Sequence, residues 1–319
     1  MARLSLLFRE RTVRTALFLL ALLLFAWLMY GEVFLNLLNL RNVLRQTSMI
    51  GLIALGMTLV IVGGGIDLSV GAMTALASVT AAYLSRESGW MAIVGTIILG
   101  LLLGLLNGVL VAVLRIVPFI ATLATMMTFR GSAYLLTDIK SIPVAPGEKA
   151  FTQIGRGYLL GAPLPALVFV GALGILYLFS VSTRPGRQIF AIGDNEEAAR
   201  MMGVNVAWTK ILSYAILGLL CGLSGIILTA RLGAGQPVGA EGWEMNAIAA
   251  VLIGGTLLSG GVGSVVGTFF GVLILGLISN IINLNGEINA FWQRIVTGVL
   301  LLGAVFMQWR PERQGREKL

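Results

Sequence analysis

The sequence contains no histidine, and its 319 residues include a single cysteine. The first absence removes imidazole metal ligation and histidine acid/base chemistry. The second removes any intrachain disulfide, and Cys221, set in the apolar run SYAILGLLCGLSG, suits a membrane span better than a redox or metal site. Charge is scarce too: Asp, Glu, Lys and Arg form 11% of the chain, against about 25% in an average soluble domain. No G-x-x-x-x-G-K-S/T phosphate loop is present, so the chain supplies no ATP site of that type. The glycines of GGGID, at 63–67, follow no strand and join two apolar runs, which excludes a dinucleotide-binding turn. The apolar runs carry no file of carboxylates for a proton relay and no arginine-rich voltage-sensing helix. No small-residue cleavage site follows the first apolar run, which favours a retained first helix over a signal peptide.

What is present is hydrophobic sequence, 57% of the chain, with a mean hydropathy of +0.94. This predicts an all-α, polytopic transmembrane helical bundle of about ten spans: 15–30, 47–62, 66–84, 90–114, 118–136, 164–182, 211–231, 244–258, 264–285 and 291–308. Several fall short of the roughly 20 residues a bilayer needs, so they borrow flanking residues or are broken helices. Alternating from a cytoplasmic N-terminus, the inside segments collect Arg3, Arg9, Arg11, Arg14, Arg115, Arg184, Arg187, Arg200, Lys210, Arg310, Arg313, Arg316 and Lys318, more than half of the 22 Lys and Arg. Outside segments hold Arg41, Arg45, Arg86, Lys140, Lys149, Arg156 and Arg231, spread through longer loops. That bias places both termini and the 184–206 loop in the cytoplasm. The net charge of +8 is thus a topology signal and implies no nucleic acid. No linker or composition shift divides the chain, so residues 1–319 read as one membrane domain.

The loop RPGRQIFAIGDNEEAARMMGVNV (184–206) is the longest charged stretch inside this apolar chain. Asn195 is an N-cap type residue; Glu196 and Glu197 follow in the first turn, then Ala198, Ala199 and Arg200, with Gly203 as a stop. The pattern predicts a short helix facing solvent. A helix of about two turns is marginal alone and needs a protein surface to dock on. The alternatives are a docking helix for a soluble partner and an ordinary solvated connector.

Two glycine-rich breaks interrupt the spans, Gly63 to Gly71 and Gly254 to Gly261. IVGGGIDLSVGAMTAL (61–76) aligns weakly with LIGGTLLSGGVGSVVG (252–267), which suggests an internal duplication, and paired interrupted segments point to a transport path. Asp67, with Ser69 two residues on, either caps the third helix or touches a solute. Arg130, the most deeply placed positive charge, snorkels, pairs with a carboxylate or lines a cavity. Asn107, Asn246, Asn280 and Asn283 are uncharged polar groups in spans, able to bond neighbouring helices or a hydroxylated solute. Most of the 41 glycines serve close helix packing, as the four-residue spacing of Gly100, Gly104 and Gly108 illustrates.

Glu197-Ala198-Ala199-Arg200-Met201-Met202-Gly203 is a literal E-A-A-x-x-x-G, the core of the cytoplasmic loop motif of bacterial binding-protein-dependent permeases. With GMTLVIVGGGIDLSVGAM (56–73), FIATLATMMTFRG (119–131) and MNAIAAVLIGGTLLSGGVGSVVGT (245–268), the chain from about Val43 to Leu302 resembles the monosaccharide branch of those importers: ribose, xylose, arabinose, galactofuranose and autoinducer types. It departs from the wider motif after Gly203, where Ile211-Leu212-Ser213 stands in place of the I-x-L-P ending. The resemblance implies a non-enzymatic permease subunit of the bacterial inner membrane, surrounded by lipid. Sugar import then proceeds by alternating access, and the chain binds no cofactor or metal. It further implies a cytoplasmic ATP-binding-cassette subunit that uses ATP and Mg, a second permease copy or sister permease, and a periplasmic sugar-binding protein. The ATPase-coupling loop, about 184–210, would include Gly193, Asn195, Glu196, Glu197, Ala198, Ala199 and Gly203. The translocation path would draw on Asp67, Ser69, Asn107, Arg130, Asn246, Asn280 and Asn283. A self-sufficient secondary transporter or channel is the rival reading, with only Asp67 and Arg130 as candidates for a coupling-ion site.

Overall fold

A computed structural model describes residues 2–286, 289 and 291–308, the stretch 2–11 as backbone alone. The side chains of Arg3, Arg9 and Arg11, and all of Arg310, Arg313, Arg316 and Lys318, lie outside it. Among the described residues, seven helices are long and apolar enough to cross a membrane. They belong to α1 (Ala2–Leu35), α2 (Leu37–Val62), α4 (Gly89–Ala112), α5 (Pro118–Thr137), α7 (Leu164–Ser182), α10 (Val206–Leu232) and α12 (Val265–Asn285). Three shorter apolar helices, α3 (Val70–Leu84), α11 (Trp243–Ile253) and α13 (Trp292–Gln308), fall where further spans are expected. Connections hold α6 (Lys149–Arg156), α8 (Arg184–Asp194), α9 (Glu196–Met201) and four two-residue strands. The strands form two ribbons, β1 (Ile142–Pro143) with β4 (Ala234–Gly235) and β2 (Tyr158–Leu159) with β3 (Ala162–Pro163), both antiparallel.

Burial sorts the helices. In their apolar windows α2 is 83% and α10 72% buried, whereas α1 is 17% buried. The outer helices turn large apolar side chains outward, among them Leu28 on α1, Leu135 on α5, Ile175 on α7 and Phe306 on α13. Apolar residues outside and a packed centre suit hydrocarbon as the surrounding solvent. The tightest crossing joins α4 to α10. A Cβ at Gly100 would stand 2.5 Å from the Gly218 carbonyl oxygen and 2.9 Å from Gly222 Cα, so the glycine spacing here lets two backbones touch.

Several bounds differ from the sequence expectation: α1 runs on to Leu35, α3 starts at Val70 rather than 66, α10 at Val206 rather than 211, and α11 ends at Ile253 rather than 258. Two further differences bear on the site. Helix α2 begins at Leu37, ten residues before the expected start at 47, and so includes Arg41 and Arg45. Their guanidinium groups leave the apolar zone along their stems and stack on the Tyr158 ring, 4.7 and 4.5 Å from its centroid. Arg41 Nε donates to the Gly161 carbonyl and Arg45 Nη2 to that of Arg156, so the extra turns of α2 are tied to the connection between α5 and α7. The 184–206 loop, in turn, contains α8 ahead of the expected short helix. Thr183 Oγ1 caps α8 by accepting the Gly186 amide, and Pro185 occupies its first turn.

Candidate functional site

The end of the bundle that carries α8 and α9 is built from backbone. At the break after α2, the amides of Gly63, Gly64 and Gly65 donate to the carbonyls of Leu59, Ile61 and Val60. At the break after α11, the amides of Gly254, Gly255 and Thr256 donate to Ala250, Leu252 and Val251 in the same order, with Gly64 and Gly255 both at positive φ, 79° and 90°. These are the positions paired in the alignment of 61–76 with 252–267, so that local likeness is one of helix-ending geometry. The likeness stops there: α3 starts after Ser69, while α12 starts after Ser264, whose hydroxyl accepts the Gly267 amide.

The two breaks meet. The Gly261 amide donates to the Val62 carbonyl at 2.9 Å, and Gly260 lies against Gly64. Helix α8 comes to the same point: a Cβ on Gly193 would collide with the Val62 carbonyl oxygen and the Gly261 amide nitrogen. No residue other than glycine fits at 193 without parting three segments.

Helix α9 then turns over the end of α8. Asn195 Oδ1 accepts the Ala198 amide, and Glu196 and Glu197 stand in the first turn. Ala199 is fully buried and packs with Ile192 and Val206. The surface this short helix requires is therefore supplied in part by its own chain. Glu196 bridges Arg200 at 2.8 Å and Lys210 at 2.6 Å, and the Lys210 hydrogen bond holds its carboxyl below the usual range. Gly203, at φ 82°, closes the helix while Val204 donates back to the Ala199 carbonyl. Met201, Met202 and Trp208 are exposed beside Glu197 and Ala198.

Of the residues expected along a path, three come together and are sealed. Asp67 Oδ1 accepts from the amide and hydroxyl of Ser69, and Oδ2 accepts from Asn107 Nδ2, with all three side chains fully buried. Asp67 is not the N-cap of α3; Ser69 is, and Asp67 accepts the amide of that cap residue. The crevice beside the first break, under Gly63, Gly64, Gly65 and Tyr214, holds only about 10 Å³, no more than a water. Arg130 stands apart from this trio: its Nη1 donates to the carbonyls of Pro237 and Gly239 at 2.8 Å each and fastens the turn before α11.

The other three asparagines line a cavity of about 230 Å³ between α2, α11 and α12. Asn39 and Asn280 exchange amide hydrogen bonds of 3.2 and 2.7 Å, and Asn283 Oδ1 accepts from Gln293 of α13. Asn246 lines it from α11. The sequence reading missed Asn42, Gln46 and Thr47 on α2 and Ser279 on α12, which also line it. The signal was legible: Asn39, Asn42 and Gln46 recur at helical spacing on one face.

Residues 39–305 match the family model described as branched-chain amino acid transport system / permease component. The chain is 48% identical over 278 residues to the ribose import permease protein of Bacillus subtilis (strain 168), a match covering 86% of this chain and 85% of that one. Its identity to the ribose import permease protein of Escherichia coli (strain K12) is 42% over 277 residues, 84% and 85% of the two chains. To the xylose transport system permease protein of Escherichia coli (strain K12) it is 36% over 357 aligned positions, 92% and 90% of the two chains.

Proposed function

Because the chain belongs to the branched-chain amino acid transport system / permease component family, we propose that it is the membrane-spanning subunit of an ATP-binding-cassette importer. On this reading it carries a monosaccharide or similar small hydroxylated solute inward across a bacterial inner membrane. The ribose and xylose relatives support the solute class. With both termini and the α8–α9 loop in the cytoplasm, as the arginine placement favours, an ATP- and Mg-using ATPase subunit docks on the exposed face of α9 around Met201, Met202 and Trp208. A periplasmic sugar-binding protein delivers the solute at the opposite end, and a second permease copy or sister permease completes the path.

The observation that carries the reading is the seat of Gly193 on Val62 and Gly261. A force applied to α9 reaches α8 and, through that seat, both broken helices at once, which is what rocking a bundle between two accessible states requires. Two substitutions on the loop test it in the reconstituted importer. Gly203→Val meets no neighbouring atom, so its cost is confined to a side chain at positive φ, about 1 kcal/mol or more. Glu197→Lys opposes the helix dipole by about 0.3 to 1 kcal/mol and reverses a charge on the docking face. Both variants should insert normally yet lose sugar uptake and binding-protein-stimulated ATP hydrolysis. Normal uptake and stimulation in both would reduce the loop to a connector. Uptake by the permease without any ATPase would favour a self-sufficient transporter.

A further inference from the structure

We propose that the cavity between α2, α11 and α12 is a sugar-binding site on the permease itself, selective for uncharged polyols over zwitterions. This rests on the import reading above and goes further, by giving the permease its own contact with the solute.

The cavity sits in the half of the bundle away from α8 and α9. Thr47 is separated from Val62, at the break, by about 22 Å of helix. Its volume of about 230 Å³ leaves room for a molecule the size of one sugar ring. Its wall holds amides and hydroxyls and no Asp, Glu, Lys or Arg. An amide both donates and accepts, as a sugar hydroxyl does, so the two match without a formal charge on either side. An amino acid would bring an ammonium and a carboxylate into a wall with no ion to pair either, and their desolvation would go uncompensated.

Two observations separate this cavity from a packing gap. Some of its polar groups are spoken for, since Asn39 and Asn280 bond one another and Asn283 is held by Gln293. Those contacts tie α2 to α12 and α12 to α13 and keep the cavity's walls in place. The remaining groups, Asn42, Gln46, Asn246 and Ser279, make no side-chain hydrogen bond among the described residues. Thr47 goes further. It is 3% exposed, lines the cavity, and its Oγ1 has no partner. A buried hydroxyl left unbonded is destabilising, and a ligand hydroxyl in the cavity would relieve it. Gly276 faces Thr47 so closely that any Cβ would collide with that hydroxyl, so the absence of a side chain at 276 keeps Thr47 in its position. Val272, Leu275 and Ile50 provide an apolar wall for the C–H face of a sugar ring.

The test uses the intact importer in lipid nanodiscs without its binding protein, titrated with D-ribose, D-xylose and L-leucine, alongside sugar uptake by the complete system in vesicles. The wild-type complex should bind a pentose saturably and L-leucine not at all. Thr47→Val and Asn246→Ala should each weaken pentose binding about five- to tenfold, the loss of one hydrogen bond. Equal pentose affinity in wild type and both variants, or competition by L-leucine, overturns the assignment. So does sugar uptake by a wild type whose permease binds no sugar, and in that case the import reading stands. Absence of uptake of every monosaccharide tried by the complete wild-type system overturns the import reading and this site together.

Discussion

Two polar clusters lie in one membrane bundle, and they differ in where their hydrogen bonds go. Around Asp67 the Ser69 amide and hydroxyl and the Asn107 amide all donate to one carboxyl, Asn107 donates to the Ser69 hydroxyl as well, and nothing larger than a water fits beside the nearby break. Around Thr47 and Asn246 an open cavity is walled by groups of which several are unbonded, and no formal charge is present. Sequence alone offers the same reason to notice both, a polar residue in an apolar run. The bonding separates a cluster that holds the fold from one with capacity left for a ligand.

The sharpest way to break this contrast is at Asp67. Asp67→Leu strands the Ser69 amide and hydroxyl in an apolar interior and leaves Asn107 Nδ2 only its bond to Ser69 Oγ, and should cost about 3–5 kcal/mol or prevent assembly. Asp67→Asn should cost under about 1 kcal/mol: it keeps an acceptor for Ser69, and the Asn107 Oδ1, unbonded in the structure, turns to accept the new amide. Thermal unfolding in detergent reads both. If Asp67→Asn is stable but abolishes transport, the Asp67 cluster has a functional role and the contrast is lost.

A smaller effect is expected within the cavity at a group that is already bonded. Asn280→Leu removes both bonds to Asn39 and should lower stability by about 1 kcal/mol, as interhelical hydrogen bonds in membranes do. The neighbouring Thr47→Val should have the opposite sign. It deletes an unpartnered buried hydroxyl at nearly constant shape and should raise the unfolding temperature of the sugar-free protein, by up to about 1 kcal/mol in stability. A destabilised Thr47→Val would show that the hydroxyl is already served and would remove the distinction between the two clusters.

The smallest expected effect lies in the loop, where a charged cluster faces water. The Glu196 pKa is lowered by Lys210, so its contribution is present above the ordinary glutamate value of 4.5 and is lost as pH falls below that value. Glu196 is 40% exposed, and solvent screening reduces the effect to about 1 kcal/mol or less. Protection of the α9 amides from hydrogen exchange, corrected for the intrinsic pH dependence of exchange, should hold from neutral pH down to about 5 and fall as pH is lowered further, below the ordinary glutamate value, in wild type. In Glu196→Gln it should be low and flat.

The legible parts of the molecule were those with a local signature. Seven long apolar helices, the two glycine breaks and the short helix at Glu196–Met201 each follow from residues next to one another in sequence. The cavity was only half legible. Asn246, Asn280 and Asn283 stood out in apolar runs; Asn42 and Gln46, despite their helical spacing, were passed over because Arg41 and Arg45 made the start of α2 read as a loop, and Thr47 opened the expected span at 47 with nothing to mark it. What keeps those arginines on a helix is Tyr158 and two carbonyls more than 100 residues away, and no local pattern encodes them. Helix α8 was missed for a similar reason: its charges conceal Gly186, Ile189 and Ile192, which are buried only because the bundle lies beneath them.

At Gly193 the three segments meet through main chain alone. Side chains yield to a push by changing rotamer, which absorbs displacement before passing it on; peptide groups in contact have no such slack. A push of α8 toward this contact by a few tenths of an ångström therefore bears on Val62 and on Gly261 together. On the coupling reading proposed above, the first and second halves of the chain are geared to one another at this contact.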